Sequence, residues 1–167
     1  KLICKSKQIY KMEKIEDILL SAKEALIQKR TDESIELFSK VLNIDPENMV
    51  ALYSRGTAYY TMKEYQKALQ DFTKGIDLKP DRARLYCGRG NAWLGLQQNE
   101  SALQDLNKAV ELDPHYPSAY FSRSEVFERM SEKEHADADR KTAVRLQQQI
   151  SQAYLDSQGI EPVYSLT

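Results

Sequence analysis

An all-α solenoid built from four helix pairs is the fold class this sequence predicts, on three observations. The stretch MVALYSRGTAYYTMKEYQKALQDFTKGIDLKP, residues 49–80, is written again as ARLYCGRGNAWLGLQQNESALQDLNKAVELDP, residues 83–114, with a shift of 34. A period of that size with helical spacing inside it marks an array of stacked supersecondary units. Small residues recur where two antiparallel helices must approach closely: Gly56, Ala68 and Gly75 in one copy, Gly90, Ala102 and Ala109 in the next. Pro80 and Pro114 close the copies. The residue before a proline avoids the helical region, so each second helix stops there.

Composition bounds the function classes. Apolar residues make up 41% of the 167 and charged residues 29%, ordinary proportions for a globular chain. The net charge of −1 supplies no global field for nucleic acid or an anionic membrane, so neither is expected as a partner. No apolar run approaches the roughly 18 residues a spanning helix needs, so no membrane insertion is expected. Cys4 and Cys87 show neither disulfide nor metal-ligand spacing, which predicts a reducing, cytoplasmic setting. The chain begins KLICKSK, without Met, and reads as a fragment.

Residues 1–14 hold five Lys and one Glu, a local charge of +4, and read as a basic, frayed leader. Repeat one spans residues 15–48. Ile15, Ile18, Leu19, Ala22 and Leu26 lie on one face of its first helix. Its markers are degenerate: counting Ile15 as position 1, Ala22 stands at 8, Ala25 at 11, Ser34 at 20, Phe38 at 24, Val41 at 27 and Pro46 at 32. Loss of the large residue at 11 fits a terminal unit with one neighbour. Repeats two (49–82) and three (83–116) are regular. Tyr59 and Trp93 at position 11, with Phe72 and Leu106 at 24, fill the space beside the small residues.

Repeat four spans residues 117–158. Ser124, Phe127, Ala136 and Ala143 keep positions 8, 11, 20 and 27, but Arg140 takes position 24 and Gln148 stands where proline closed the others. Its second helix should therefore run on to about Gln158, just before Gly159. Ala136, Ala143, Leu146, Ile150 and Ala153 form the inward stripe of this extended capping helix, and its outer side is polar, as the open end of a solenoid requires. Residues 159–167, GIEPVYSLT, carry no periodicity and read as an extended tail. The predicted helices are 15–28, 32–44, 49–62, 65–78, 83–96, 99–112, 117–130 and 132–156, with no strand.

Catalytic constellations are not found. Gly88, Gly90 and Gly95 fall inside a helix with no strand before them, so they form no phosphate loop. His115 and His135 share no repeat position and have no partner at ligand spacing, so no metal or other cofactor is expected. One charged pattern recurs. Arg55, Arg89 and Arg123 hold position 7, and Asp71, Asp105 and Asp139 hold position 23, sixteen residues later. Antiparallel helices bring these positions to similar heights, so each Arg is expected to pair with the Asp of its own repeat. Repeat one has Ser21 and Leu37 instead. A functional alternative is an arginine ladder open to acidic peptide.

The pattern resembles the tetratricopeptide (TPR) repeat. That family's unit of 34 residues asks for the small residues at 8, 20 and 27, the large ones at 11 and 24, and the proline at 32. Repeats two and three supply them without a gap. The resemblance implies a right-handed α-solenoid and a concave groove lined by the first helices of the units, through positions 2, 5, 9, 12 and 13. Here these give Tyr53, Thr57 and Tyr60, then Arg84, Cys87, Asn91 and Leu94, then Phe121, Glu125 and Arg129; repeat one adds Leu19, Lys23 and Leu26.

The family's two-carboxylate clamp for heat-shock chaperone tails needs Lys and Asn, then Asn, then Lys and Arg. This chain has Leu19, Lys23, Ser54, Arg84 and Gly88 there, or Tyr53, Thr57, Gly88, Ser118 and Ser122 one unit on. Only Arg84 survives in kind, so such a tail is disfavoured. The resemblance implies a non-enzymatic scaffold binding a peptide or helix of another protein. A segment of a larger repeat protein that stacks with further units is the structural alternative.

Overall fold

A computed structural model describes residues 2–158, with side chains from Met12 onward. Among the described residues there are eight helices and no strand: α1 (Leu2–Ile27), α2 (Thr31–Ile44), α3 (Met49–Thr61), α4 (Tyr65–Leu78), α5 (Ala83–Gly95), α6 (Asn99–Leu112), α7 (Pro117–Arg129) and α8 (Lys133–Ser157). They pair in order, and each pair packs on the next, so the architecture is the expected solenoid. Seven of the eight helices lie within a residue or two of their predicted bounds. The exception is α1, which begins at Leu2 rather than near Ile15. Residues 1–45 contain neither Gly nor Pro, so nothing in the leader interrupts the helix, and its Lys, Leu, Met and Glu are good helix formers. The expected tail, residues 159–167, lies outside the described residues.

The helix ends follow from local chemistry. Asp45, Lys79 and Asp113 precede Pro46, Pro80 and Pro114, and all three are extended, with φ of −134, −142 and −141°. That terminates α2, α4 and α6. Asn48 caps α3 by accepting from the Ala51 amide at 3.1 Å. The turn inside each pair is made differently. Lys29, Lys63, Gln97 and Ser131, all at position 15, take φ of 59, 61, 61 and 65°. The next amide then reaches five residues back, as from Glu64 to the Tyr59 carbonyl at 2.8 Å and from Gln98 to the Trp93 carbonyl at 3.0 Å. This left-handed closure usually belongs to glycine, and here no glycine announces it.

Packing obeys the repeat. The residues at positions 8, 20 and 27 are buried in every unit. Phe38, Phe72 and Leu106 at position 24 are buried to within 1% exposure, each contributing about 1.5–3 kcal/mol of burial. Gly90 is small of necessity: a Cβ there would stand 2.8 Å from Leu106 Cγ and 3.3 Å from the Ala102 carbonyl. Arg140, at position 24 of the last unit, stays out of the core and pairs with Glu128 and Asp137. The inward stripe of α8 is shorter than expected. Ala136, Ala143 and Leu146 are buried, but Ile150 is 50% exposed and Ala153 is exposed too. Beyond Leu146 the helix outruns α7, which begins only at Pro117 and has no further turn to offer it.

The three Arg–Asp pairs form as expected. Arg55 donates to Asp71 at 2.8 and 2.7 Å, Arg89 to Asp105 at 2.7 and 2.8 Å, and Arg123 to Asp139 at 2.6 and 2.8 Å. Each is a bidentate fork on a buried carboxylate. That bond holds each guanidinium more firmly charged than usual, against the opposing effect of burial. The third nitrogen reaches the preceding unit: Arg55 to Ser39 at 2.9 Å, Arg89 to Thr73 at 3.3 Å, Arg123 to Asn107 at 2.8 Å. Ser39, Thr73 and Asn107 all stand at position 25. The ladder therefore joins helices within a unit and units to each other, and these Arg are not open groups in a groove.

Candidate peptide groove

The first helices α3, α5 and α7 follow one another along one side of the array, with α3 touching α5 and α5 touching α7. Between them lies a recess of about 220 Å³. Six of the ten expected groove residues line it: Tyr53, Thr57 and Tyr60 from α3, and Arg84, Cys87 and Asn91 from α5. Phe72, Gly88, Tyr116 and Ser118 complete the wall. Gly88 is the opening in its floor. A Cβ there would stand 2.7 Å from two atoms of the Phe72 ring, so only glycine lets α5 come this close to it. Tyr53 tilts over the same ring, with centroids 6.0 Å apart.

The polar side of the recess is lopsided. Arg84 is exposed and, among the described residues, has no ion-pair partner. Burial pushes the Tyr116 hydroxyl up to about 12, opposed by a hydrogen bond from Ser118 and by the Arg84 charge. Burial also raises Tyr60, with Glu125 adding to it. Cys87 is pushed up to about 11, again mainly by burial, with hydrogen bonds to Ser122 and Tyr116 acting the other way. At neutral pH its thiol is protonated and inert.

Five of the ten expected groove residues lie beneath the surface of the recess or outside it. Cys87 touches the recess but is only 3% exposed, and Leu94 is 4% exposed; both belong to a core cluster with Ala119 and Val126 of α7. The next first helix closes over positions 5 and 12 of α5 when the side chains there are small enough. Tyr53 and Tyr60 at the same positions of α3 are too large to be covered and reach the surface. Glu125 and Arg129 are bound to each other at 2.6 Å, and Arg129 also donates to the Leu94 carbonyl at 2.8 Å. Their charges cancel, and they tie α7 to the end of α5. Phe121 is 42% exposed but lies elsewhere, in a recess of about 350 Å³ against Val144, Gln148 and Leu155 of α8. In repeat one, Leu19 and Leu26 pack on the first core cluster while Lys23 is exposed.

Sequence reasoning left Phe72 and Tyr116 out of the groove and reached Gly88 and Ser118 only as departures from the clamp pattern. Ser118 stands at position 2 of its helix, so the pattern could have found it. Tyr116 lies in the turn before α7, outside any helical frame.

Among the described residues, no group of three His, Cys, Asp or Glu side chains is placed to hold a metal ion, and no helix is long and apolar enough to cross a membrane.

Fold and groove together define a helical-repeat solenoid of stacked helix pairs. Residues 50–82 and 83–116 match the family model of the tetratricopeptide repeat. No curated protein matches the chain in sequence. Solved structures share its fold. MamA from Desulfovibrio magneticus RS-1, residues 41 to end, is 23% identical over 81% of this chain and 76% of its own, with a TM-score of 0.73. TTC0263, a thermophilic tetratricopeptide-repeat protein of Thermus thermophilus, is 22% identical over 79% and 74%, with a TM-score of 0.74. The first such domain of Spaghetti (RPAP3), solved with the HSP90 peptide SRMEEVD, is 25% identical over 71% of this chain and 94% of its own, with a TM-score of 0.68.

Proposed function

We propose that this chain is a non-enzymatic protein-interaction scaffold that takes a peptide or helix of another protein in its groove, at the recess between α3 and α5. The observation that carries this is the recess itself. It joins aromatic area from Tyr53 and Tyr60, over a floor closed by the buried Phe72 ring, to one uncompensated cation, Arg84, and to the amide of Asn91. Aromatic walls supply contact area at low entropic cost, and Asn91 can bond an extended backbone. With Arg129 neutralised by Glu125, Arg84 alone favours an acidic group on the partner. The segment suited to this recess has one apolar side chain for the aromatic floor and one carboxylate beside it. The affinity expected of so small a contact, which must also order a flexible ligand, is about micromolar.

The solved neighbour with an HSP90 peptide makes a chaperone tail the second reading. Against it stands Gly88, where the clamp of the third unit asks for Arg, and Ser54, where that of the second asks for Asn. Both readings are tested together. Wild-type chain and the Tyr60→Ala/Arg84→Ala variant are used to capture partners from native extract, and SRMEEVD is titrated directly. Both replaced side chains are exposed, so the fold should persist. Partners are expected to be lost from the variant, with SRMEEVD binding neither protein. Retention of every partner by the variant would remove the recess from the function, and tight SRMEEVD binding would favour the chaperone reading.

A further inference from the structure

The face of α5 opposite the recess carries a second opening, of about 580 Å³, built on Trp93 and lined also by Tyr86, Ser101, Gln104, Lys108 and Glu111. Its cause is visible by comparison with the neighbouring units. In repeat two, the aromatic at position 11 is Tyr59, and Lys67 at position 19 lies over its ring, 5.3 Å from the centroid. Glu64 at position 16 holds that ammonium in an ion pair. Repeat four repeats the arrangement. His135 at position 19 lies on Phe127 with centroids 5.1 Å apart, and Glu132 at position 16 binds the imidazole at 2.8 Å. The ladder arginines Arg55 and Arg123 lie over the same two rings, at 5.7 and 5.8 Å.

Repeat three breaks the pattern at both places. Gln98 stands at position 16 and Ser101 at 19; Arg89 lies over Tyr86 at 5.7 Å, as Arg123 lies over Tyr120 at 5.5 Å, but not over the ring at position 11. Among the described residues no cation covers Trp93. The unit with the largest π-surface, the one that holds a cation best, is thus the unit that supplies none. The other charges of the opening are already paired: Arg89 with Asp105 at 2.7 Å and Lys108 with Glu111 at 2.6 Å. An incoming anion would find no free cation there. We propose that the opening at Trp93 receives a basic side chain, lysine or arginine, of a partner protein, which supplies from outside the cation that Lys67 places over Tyr59 and Arg123 over Phe127 within their own units.

Trp93 is the single tryptophan of the chain, so its fluorescence reads this opening directly. The probe is the peptide acetyl-Gly-Gly-Lys-Gly-Gly-amide, with its arginine and norleucine counterparts, titrated at constant ionic strength. The lysine and arginine peptides are expected to change the emission saturably and to bind at least about fivefold more tightly than the norleucine peptide. Ser101→Lys, which copies Lys67, should abolish the response, and Ser101→Ala should keep it. Should Ser101→Lys fold poorly by circular dichroism, Gln98→Glu/Ser101→His, which copies repeat four, takes its place. Equal response to norleucine, no saturable response, or unchanged binding by the filled variants would overturn the proposal.

Discussion

Replacing Asp105 with Leu strands the Arg89 guanidinium. Arg89 makes two hydrogen bonds to that carboxylate, at 2.7 and 2.8 Å, and a longer one of 3.3 Å to Thr73. The Asp105 side chain is 8% exposed and that of Arg89 21%. Breaking a fully buried pair costs about 3–5 kcal/mol, because one charge is left without water or partner. The partial exposure of Arg89 lets water replace some of the lost bonds, so Asp105→Leu should cost about 2–3 kcal/mol. Arg89→Met leaves the more deeply buried Asp105 uncompensated and should cost about 3 kcal/mol. The double variant carries no charge at all and should lose only about 1 kcal/mol or less. The cycle therefore predicts a coupling of about 4 kcal/mol. Urea unfolding by far-UV circular dichroism measures it, and amide exchange in α5 and α6 gives a local readout suited to a chain whose units contact only their neighbours. Single variants that sum to the double within about 0.5 kcal/mol would refute the reasoning. The pair would then be a surface contact held by crowding and not by its electrostatics.

Three further outcomes are expected. Gly90→Leu drives a branched side chain into Leu106 and the Ala102 carbonyl, and should cost about 1–3 kcal/mol or more; an unchanged melting midpoint would mean that α5 and α6 do not meet there. Gln97→Gly relieves a non-glycine residue held at φ 61° and should stabilise by up to about 1 kcal/mol, seen as a raised thermal midpoint, and a loss would show that the Gln97 side chain contributes more than its backbone strain costs. The third concerns alkaline pH. The folded chain keeps the Cys87 proton to about 11, against an ordinary 9.0, so the unfolded chain sheds it first. Stability from this group is complete below about pH 9 and should fall as pH rises to about 11, and Cys87→Ala should flatten that part of the denaturation profile.

Legibility followed repetition. Positions 8, 20 and 27 could be read because each unit must solve the same close approach of two helices with a small residue, and the solution is written four times. The Arg–Asp pairs were legible for the same reason. Their bonds to Ser39, Thr73 and Asn107 were not, because any short polar side chain serves as acceptor and three different residue types occupy one position. The left-handed turns were hidden because Lys29, Lys63, Gln97 and Ser131 do there what glycine usually does. In the groove the frame named helix faces correctly but could not tell a covered position from an open one. Cys87 and Tyr53 share position 5, yet one is buried in the cluster with Ala119 and Val126 of α7 while the other is half-buried over Phe72. Phe121 faces α8, and its surroundings are set by how far α8 extends past α7, which no single-unit pattern encodes.

The acceptor at position 25 gives the array a reading direction. Every guanidinium checks two addresses, the aspartate of its own unit and a neutral oxygen of the unit before, so adjacency is specified by polar grammar as well as by apolar fit. Repeats two and three could trade places and each arginine would still find its oxygen, since Thr73 and Asn107 are interchangeable as acceptors. Repeat four could not be moved inward on the same terms. Its position 25 is Lys141, and an ammonium there would face the arginine of whatever unit of this pattern followed. Shuffling the modules thus has a syntax. A unit may precede another only if it ends its sentence in a lone pair, and the fourth ends in a positive charge.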